Sequence, residues 1–333
     1  MTRRLQMYGL AATPLVFYAA VELLTFRLNN PVIGGLTPIF DAASSYHENA
    51  TRYTLQAAVV FLVWVAVGAV GLLFRDILTG VGLRGVLRPS TDDDPRPGMA
   101  RKDLAFFAAY LGLAIGVSIA FGSVAGENRN FQNLGTALFT EVMNHCHEVL
   151  NQPESCVFGV YRAGETPTGL GLYLNLITFV TIVGLVASAQ GCSRAVMLTQ
   201  DDIGRHPARD VFQGPKLYLY VSSTLFTAAT LCIYAWSGWP VPFLDDSALA
   251  AYRSLQNGLA LFWATSFSLI VLTFYLPVMF VLHSRLANRP STDADTPEAP
   301  RSMVKLLETA LAILAPVIAA LLSHAGASFV DGL

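Results

Sequence analysis

Long apolar stretches, separated by shorter polar ones, run through the whole chain. Seven of them have about 18 to 24 residues, enough to cross the roughly 30 Å hydrocarbon core of a bilayer as a helix. They are Tyr8–Phe26, Leu55–Phe74, Leu104–Phe121, Leu172–Ala189, Leu217–Trp236, Leu259–Leu282 and Val304–Leu322. The seventh has Lys305 and Glu308 near its start, so it spans the membrane, lies along its surface or docks inside the protein. The pattern predicts an all-α polytopic membrane protein with six or seven spanning helices.

The positions of Lys and Arg predict how the helices are oriented, because cytoplasmic loops collect positive charge. With the N-terminus in the cytoplasm, sixteen of the 21 Lys and Arg residues fall on the cytoplasmic side. The others are Arg27, Arg52, Arg129, Arg162 and Arg253. The first apolar stretch has no small-residue cleavage site, so we expect a retained helix and not a removed signal. The predicted location is the bacterial inner (cytoplasmic) membrane.

Composition agrees with a membrane protein and limits its partners. Hydrophobic residues make up 53% of the chain and charged residues 13%, against roughly 25% charged in an average soluble domain. A net charge of −2 gives no surplus of positive charge for binding phosphates, so direct binding of nucleic acid is not expected. We expect one transmembrane domain over residues 1–333, with a flexible cytoplasmic linker at 286–302.

The outer segment 122–171 is the longest interruption between apolar stretches. A loop of about fifty residues rarely lacks structure, so the sequence predicts a small extracytoplasmic cap there. Cys146 and Cys156 lie in this segment, on the side of a bacterial envelope that is oxidising. Cys192 and Cys232 lie in or beside apolar stretches. The topology therefore predicts a Cys146–Cys156 disulfide.

The same segment contains a candidate metal site in the stretch NHCHEVLNQPESC and the residues just before it. Glu141, His145 and Glu148 are spaced i, i+4 and i+7, so one helical face presents two carboxylates and an imidazole. That set suits zinc or a similar ion, although a structural zinc site usually has four ligands. The alternative is a solvated helix held by the disulfide, and we expect no cofactor.

Reactive and ionisable groups are scarce inside the apolar stretches. No Asp lies within any of the seven, and His283 and His324 lie at the ends of stretches. The sequence therefore gives no support to an intramembrane aspartyl or Ser–His protease, and it predicts that the protein is not an enzyme. Glu22 is the one ionisable residue that the pattern places clearly inside a stretch, and it is a candidate for the mouth of a pore. Pairing with Arg27, or reaching to the interface, explains Glu22 equally well.

Two stretches carry polar or small residues along one face, which is what a pore wall requires. The fifth stretch has Ser223, Thr227, Thr230 and Tyr234 on one face. The seventh has Thr309, Ala312, Pro316, Ala319 and Ser323, with Glu308 near its predicted inner mouth. Ordinary packing of one helix on another explains both faces as well, and also explains the Gly112-x-x-x-Gly116 motif of the third stretch. Pro277 and Pro316 are candidate kinks.

The sequence favours an oligomeric channel or pore that conducts passively, because charge-poor walls suit passive conduction. An effector of a stress or defence response, gated by a cytoplasmic regulatory protein, is one form of this hypothesis. The alternatives are a facilitative small-molecule transporter, and a membrane sensor or assembly subunit without catalysis of its own. The expected partners are the lipid bilayer, other copies of the chain and that regulatory protein.

Overall fold

A computed structural model describes residues 3–28, 42–78, 97–124, 168–197, 208–239, 241–244, 246–287 and 303–330. This part of the chain is all-helical and has no strands. Its long helices are α1 (Arg3–Leu28), α2 (Ala42–Leu78), α3 (Pro97–Val124), α4 (Thr168–Arg194), α5 (Ala208–Gly238), α6 (Asp246–Ala287) and α7 (Met303–Val330). Short 3₁₀ turns follow α4 and α5, at Ala195–Met197 and Val241–Phe243. Each of the seven predicted apolar stretches lies inside one of these helices.

Five of the seven helices are long and apolar enough to cross a membrane. The spanning parts are Ala50–Leu78, Arg101–Ile119, Leu174–Met197, Val211–Gly238 and Ala248–Ala287, in α2 to α6. Counted over the residues whose side chains are described, the apolar parts of α1 and α7 are shorter, at Leu5–Val21 and Leu307–Ser323. The predicted class, an all-α polytopic membrane protein, is confirmed.

Helix α2 shows why these sequences form membrane helices. Leu62 and Leu73 are fully buried against the bundle, while Trp64 and Val67, on the opposite face, are 71% and 58% exposed. A helix that is apolar on every side would aggregate in water, but in a bilayer its outer face meets lipid. The hydrophobic sequence therefore supplies both the packing surface and the lipid surface.

Helix α5 occupies the centre of the bundle and packs against α2, α4, α6 and α7. Its large side chains Tyr218, Phe226 and Trp236 are almost completely buried. The rings of Phe226 and Phe267 stack with centroids 4.7 Å apart, which joins α5 to α6. Helix α3 lies at the edge and packs mainly against α4.

Contacts at the two ends of the bundle show that successive helices run in opposite directions. At one end, Tyr8 near the start of α1 donates a hydrogen bond to Asp103 near the start of α3. Arg194 at the end of α4 reaches Asp76 near the end of α2 at this same end. At the other end, Thr51 of α2 donates to the Trp239 carbonyl after α5 at 3.5 Å. The alternation agrees with the predicted topology, and the cytoplasmic location of the N-terminus stays a prediction.

Several predicted features lie outside the described residues. They are the Cys146–Cys156 disulfide, the candidate metal ligands Glu141, His145 and Glu148, nearly all of the predicted cap 122–171 and nearly all of the linker 286–302. Residue 22 belongs to α1, but its side chain is outside the described part as well.

The predicted apolar stretches contain no Asp, but the helices extend beyond these stretches and include two. Asp76 is within the spanning part of α2, and Asp103 is within that of α3. Apolar runs stop at the first charged residue, whereas helices continue for as long as their backbone hydrogen bonds continue. A charge near the end of a spanning helix is accommodated when it is paired.

Candidate functional site

A cluster of polar side chains joins five helices at one end of the bundle. We call it the polar cluster, and it consists of Tyr8 of α1, Asp76 of α2, Asp103 of α3, Gln190 and Arg194 of α4, and Tyr218 of α5. By the Lys and Arg count this is the predicted cytoplasmic end. None of these six residues belonged to the sites predicted from the sequence.

The centre of the polar cluster is an ion pair between Arg194 and Asp103. Arg194 Nη1 donates to Asp103 Oδ2 at 2.6 Å, and the two side chains are only 8% and 7% exposed. Arg194 Nη2 donates to the backbone carbonyl of Asp76 at 3.0 Å. A buried charge is tolerable only when it is paired and hydrogen-bonded, so this guanidinium holds α2, α3 and α4 together.

Hydrogen bonds from neutral side chains extend the polar cluster. Tyr218 donates to Asp76 Oδ2 at 2.7 Å, and Tyr8 donates to Asp103 Oδ1 at 3.4 Å. Gln190 Nε2 donates to the backbone carbonyl of Asp103 at 2.9 Å. Gly191 makes room for this arrangement, because a Cβ placed there would lie 2.1 Å from the ring of Tyr218.

Four buried polar atoms beside these bonds have no hydrogen-bond partner among the described residues. They are Ser188 Oγ, Gln190 Oε1, Ser193 Oγ and Arg194 Nε, all on the last two turns of α4. Buried polar atoms are nearly always satisfied in native proteins.

Arg285 brings α6 to the same end of the bundle. Its Nη1 donates to the Val196 carbonyl after α4 at 2.5 Å, and its Nη2 donates to Gln6 Oε1 of α1 at 3.3 Å. Together with the polar cluster, this arginine connects α1 to α6 at one end. The connection is made by charge-assisted hydrogen bonds, which are about twice as strong as neutral ones.

Thr13 links two proline sites in the middle of the bundle. Proline has no N–H, so Pro14 leaves the Leu10 carbonyl without its usual helical donor, and Pro277 does the same to Thr273. The Thr13 hydroxyl lies 2.8 Å from the Leu10 carbonyl and 3.0 Å from the Thr273 carbonyl. A hydroxyl carries one proton, so it serves these two carbonyls in turn or shares it between them. The Thr13 hydroxyl therefore connects the proline site of α1 with the proline site of α6.

An apolar cavity of about 60 Å³ lies between α1, α3, α4, α5 and α6. Aromatic and aliphatic side chains dominate its lining. They include Leu15, Tyr18, Tyr110, Ile182, Phe226, Trp263 and Phe267. Tyr110 and Asp103 are seven residues apart on α3, which places the cavity about 10 Å along the helix from the polar cluster.

The hydroxyl face predicted on α5 is buried or half-buried in the bundle. Ser223 and Thr230 are buried, and their hydroxyls donate to carbonyls one turn back in their own helix, at 2.7 and 2.8 Å. Thr227 Oγ1 is buried and has no partner among the described residues. Tyr234 donates to the Ser323 carbonyl of α7 at 3.3 Å. A role of these residues in a pore stays a prediction.

The small-residue face predicted on α7 is turned toward the bundle. Thr309, Ala312 and Ala319 are half-buried and Pro316 is buried, whereas leucines on the other face, such as Leu311 and Leu321, are exposed. Half-buried Ser323 donates to the Ala319 carbonyl at 2.9 Å. Near the start of α7, exposed Glu308 accepts a hydrogen bond from Tyr220 of α5.

The α3 motif Gly112-x-x-x-Gly116 faces outward. Both glycines and Ala108 are exposed, and nothing in the described structure lies within 4 Å of a Cβ built at either glycine. This motif therefore does not serve packing among the described helices of one chain.

Comparisons with known proteins add no relative. No protein family, no curated protein and no solved structure matches the chain.

Proposed function

We propose that the protein is a facilitative small-molecule transporter. The observation that supports this most is the cavity, which lies among five helices and about 10 Å from a polar cluster that joins the ends of four of them, α1, α3, α4 and α5. In alternating access, a site between helices is open to one side of the membrane at a time. Paired polar groups at one end of the helices, with a cavity deeper between them, correspond to a state of such a cycle that is closed at that end.

The polar cluster has the chemistry of a reversible closure. The Arg194–Asp103 pair and the Tyr218–Asp76 bond are formed by side chains, so they break and form again without unfolding a helix. Paired charges at the end of a bundle hold one conformation, which a solute can then shift by binding another state better.

The two prolines joined by Thr13 supply a place for the helices to bend. Helices kink at prolines because one backbone hydrogen bond is missing there. Pro14 lies beside Leu15, which lines the cavity in α1, and Pro277 lies two turns beyond Ile270, which lines it in α6. Bending at these points changes the shape of the cavity and the distance between the helix ends.

An oligomeric channel is the second candidate, and one observation favours it. The outward face of α3, with Ala108, Gly112 and Gly116, is where a second copy could approach closely. The transporter remains the better-supported proposal. Within one chain the candidate pore hydroxyls Ser223 and Thr230 are bonded to their own helix.

Thiol labelling and electrical recording together test the transporter. Cys192 lies on α4 between Gln190 and Arg194 and is completely buried, so it reports opening of the polar cluster. With the other cysteines replaced, a membrane-impermeant thiol reagent added on the cluster side should modify Cys192 slowly. In an Asp103→Asn variant the rate should rise by about tenfold or more, because the ion pair is weakened.

Electrical recording in planar bilayers distinguishes the transporter from the channel. For a transporter we expect no discrete unitary currents from either the native chain or the Asp103→Asn variant, even when Cys192 becomes reactive. Unitary currents that appear in the variant together with Cys192 labelling would establish the channel instead. Cys192 that is never modified in either protein would contradict an opening at this end.

A further inference from the structure

The lining of the cavity selects the chemistry of the molecule that it can hold. Thr178 and Thr181 line it, but their hydroxyls donate to the Leu174 and Ile177 carbonyls at 3.1 and 2.9 Å. Hydroxyls bonded in this way to their own helix compete poorly for a ligand. A charged group placed in the cavity would lose its water without regaining enough hydrogen bonds. The lining therefore favours a hydrocarbon.

The size of the cavity narrows the choice further. Its volume of about 60 Å³ is less than half that of an engineered apolar cavity of about 150 Å³ that holds benzene. A space of this volume is too small for a ring the size of benzene. The end of an unbranched chain, only one methylene wide, fits it.

One side of the cavity gives room for the rest of such a chain. Tyr18, Thr178 and Thr181 are only half-buried, whereas Ala114 and Ile182 are buried. The half-buried residues therefore give the cavity an open side, through which the rest of a chain can extend.

We propose that the cavity binds the end of an unbranched hydrocarbon chain that belongs to an amphipathic molecule. Hydrocarbon itself dissolves in the bilayer and needs no transporter, so a solute of this class must carry a polar head group. That the bound molecule is also the transported solute rests on the proposed function. The binding does not depend on transport and can be tested by itself. The chain belongs either to a free fatty acid or to a membrane phospholipid.

Photo-crosslinking of the full chain in lipid nanodiscs tests the proposal. One arm uses palmitic acid with a diazirine near the end of its chain, and the other uses phosphatidylcholine that carries the same chain. After irradiation, mass spectrometry locates the labelled residues. We expect label on cavity residues such as Ile182 and Phe226. Label from the fatty-acid probe that excess unlabelled palmitic acid removes identifies a free fatty acid as the source. Label from phosphatidylcholine that resists this competition identifies a phospholipid. Label confined to lipid-exposed residues such as Phe280 in both arms would overturn the proposal.

Two matched substitutions separate the cavity from the lipid surface. Ala229 is buried in the cavity lining of α5, while Ala108 is exposed on α3. Ala229→Leu fills part of the space and should lower the cavity label by about tenfold, whereas Ala108→Leu should leave it unchanged. Equal labelling of all three proteins would contradict the site.

A third variant keeps the test decisive if Ala229→Leu does not fold. Phe267→Ala widens the cavity, so it should admit a ring-bearing diazirine probe that the native chain excludes. A native chain that takes up the ring probe as readily as the variant would overturn the size argument. Failure of these binding tests leaves the Cys192 measurement untouched, so the ligand and the transport cycle are judged separately.

Discussion

At the scale of single residues, the Arg194–Asp103 pair is the most consequential contact. Replacing Asp103 by Leu leaves the Arg194 guanidinium buried without its counter-charge. Arg194→Met likewise leaves the Asp103 carboxylate buried without its counter-charge. Each change should lower the free energy of unfolding by about 3 to 5 kcal/mol. Arg194→Met should be the more harmful, because it also removes the bond to the Asp76 carbonyl. Unfolding in mixed micelles by a denaturing detergent measures the effect.

The double variant gives the sharper test of the same pair. With both charges removed, no buried charge is left unpaired, so Asp103→Leu with Arg194→Met should lose much less than the sum of the single changes. Lys102→Met is the control, because Lys102 is exposed next to Asp103 and should change stability by less than about 0.5 kcal/mol. Strict additivity of the two changes would contradict the pairing.

The Thr13 hydroxyl makes a second prediction at this scale. Thr13→Val keeps the shape but removes the donor to the Leu10 and Thr273 carbonyls, so stability should fall by about 1 kcal/mol. Thr13→Ser keeps the hydroxyl and should lose less.

Replacing the two prolines tests whether the missing backbone N–H groups are the reason why the Thr13 hydroxyl stabilises the bundle. Pro277→Ala restores an N–H for the Thr273 carbonyl, and Pro14→Ala restores one for Leu10. In a chain with both alanines, Thr13→Val should have little effect on the free energy of unfolding. A loss as large as in the native background would mean that Thr13 acts only through packing.

At the scale of helix elements, Gly191 fixes how closely α4 approaches α5. Gly191→Ala puts a Cβ 2.1 Å from the ring of Tyr218, which must move away from Asp76. Such a change should cost about 1 to 3 kcal/mol. Gly112→Ala is the control in α3, where a Cβ meets nothing within 4 Å, and it should stabilise the helix by about 0.5 to 1 kcal/mol. Thermal unfolding of both variants checks the contrast, and equal effects would contradict the close approach.

The same elements show what a sequence can and cannot predict here. Hydropathy locates all seven helices, because each needs a long apolar run such as Leu55–Phe74 in α2. The polar cluster was missed, since its partners are far apart in the chain: 91 residues separate Arg194 from Asp103 and 142 separate Tyr218 from Asp76. Local patterns contain no information about such pairings. A signal was nevertheless present at the end predicted to be cytoplasmic, because Asp103 directly precedes the third predicted stretch and Asp76 lies two residues after the second.

The sequence also did not predict whether a stripe of small residues on a helix faces the bundle or faces outward. A small-residue stripe looks the same in sequence whether it faces the bundle, as the α7 stripe around Pro316 does, or faces outward, as Gly112 does. Only the arrangement of the other helices decides between these. Helix α3 lies at the edge of the bundle, so its small residues are left on the outside.

At the scale of the whole molecule, this outward face bears on the expected homo-oligomer. Ala108, Gly112 and Gly116 repeat every four residues on α3, and small residues at this spacing let two membrane helices approach closely. Helix α2 offers a matched comparison. Gly68 is exposed with nothing within 4 Å of a Cβ, but Trp64 and Val67 beside it are bulky and exposed. The α2 face therefore holds a partner helix away, whereas the α3 face admits one.

Leucine at each site should separate these faces. If copies of the chain associate through α3, Gly112→Leu should weaken association in vesicles by about tenfold or more, because van der Waals packing is the main force between apolar helices in lipid. Gly68→Leu adds the same side chain to an equally open position and should leave association unchanged. Single-molecule photobleaching at several protein-to-lipid ratios measures the equilibrium. A native chain that is monomeric at every ratio would remove the contact that a pore between copies requires, and would leave the transporter, whose cavity lies within one chain.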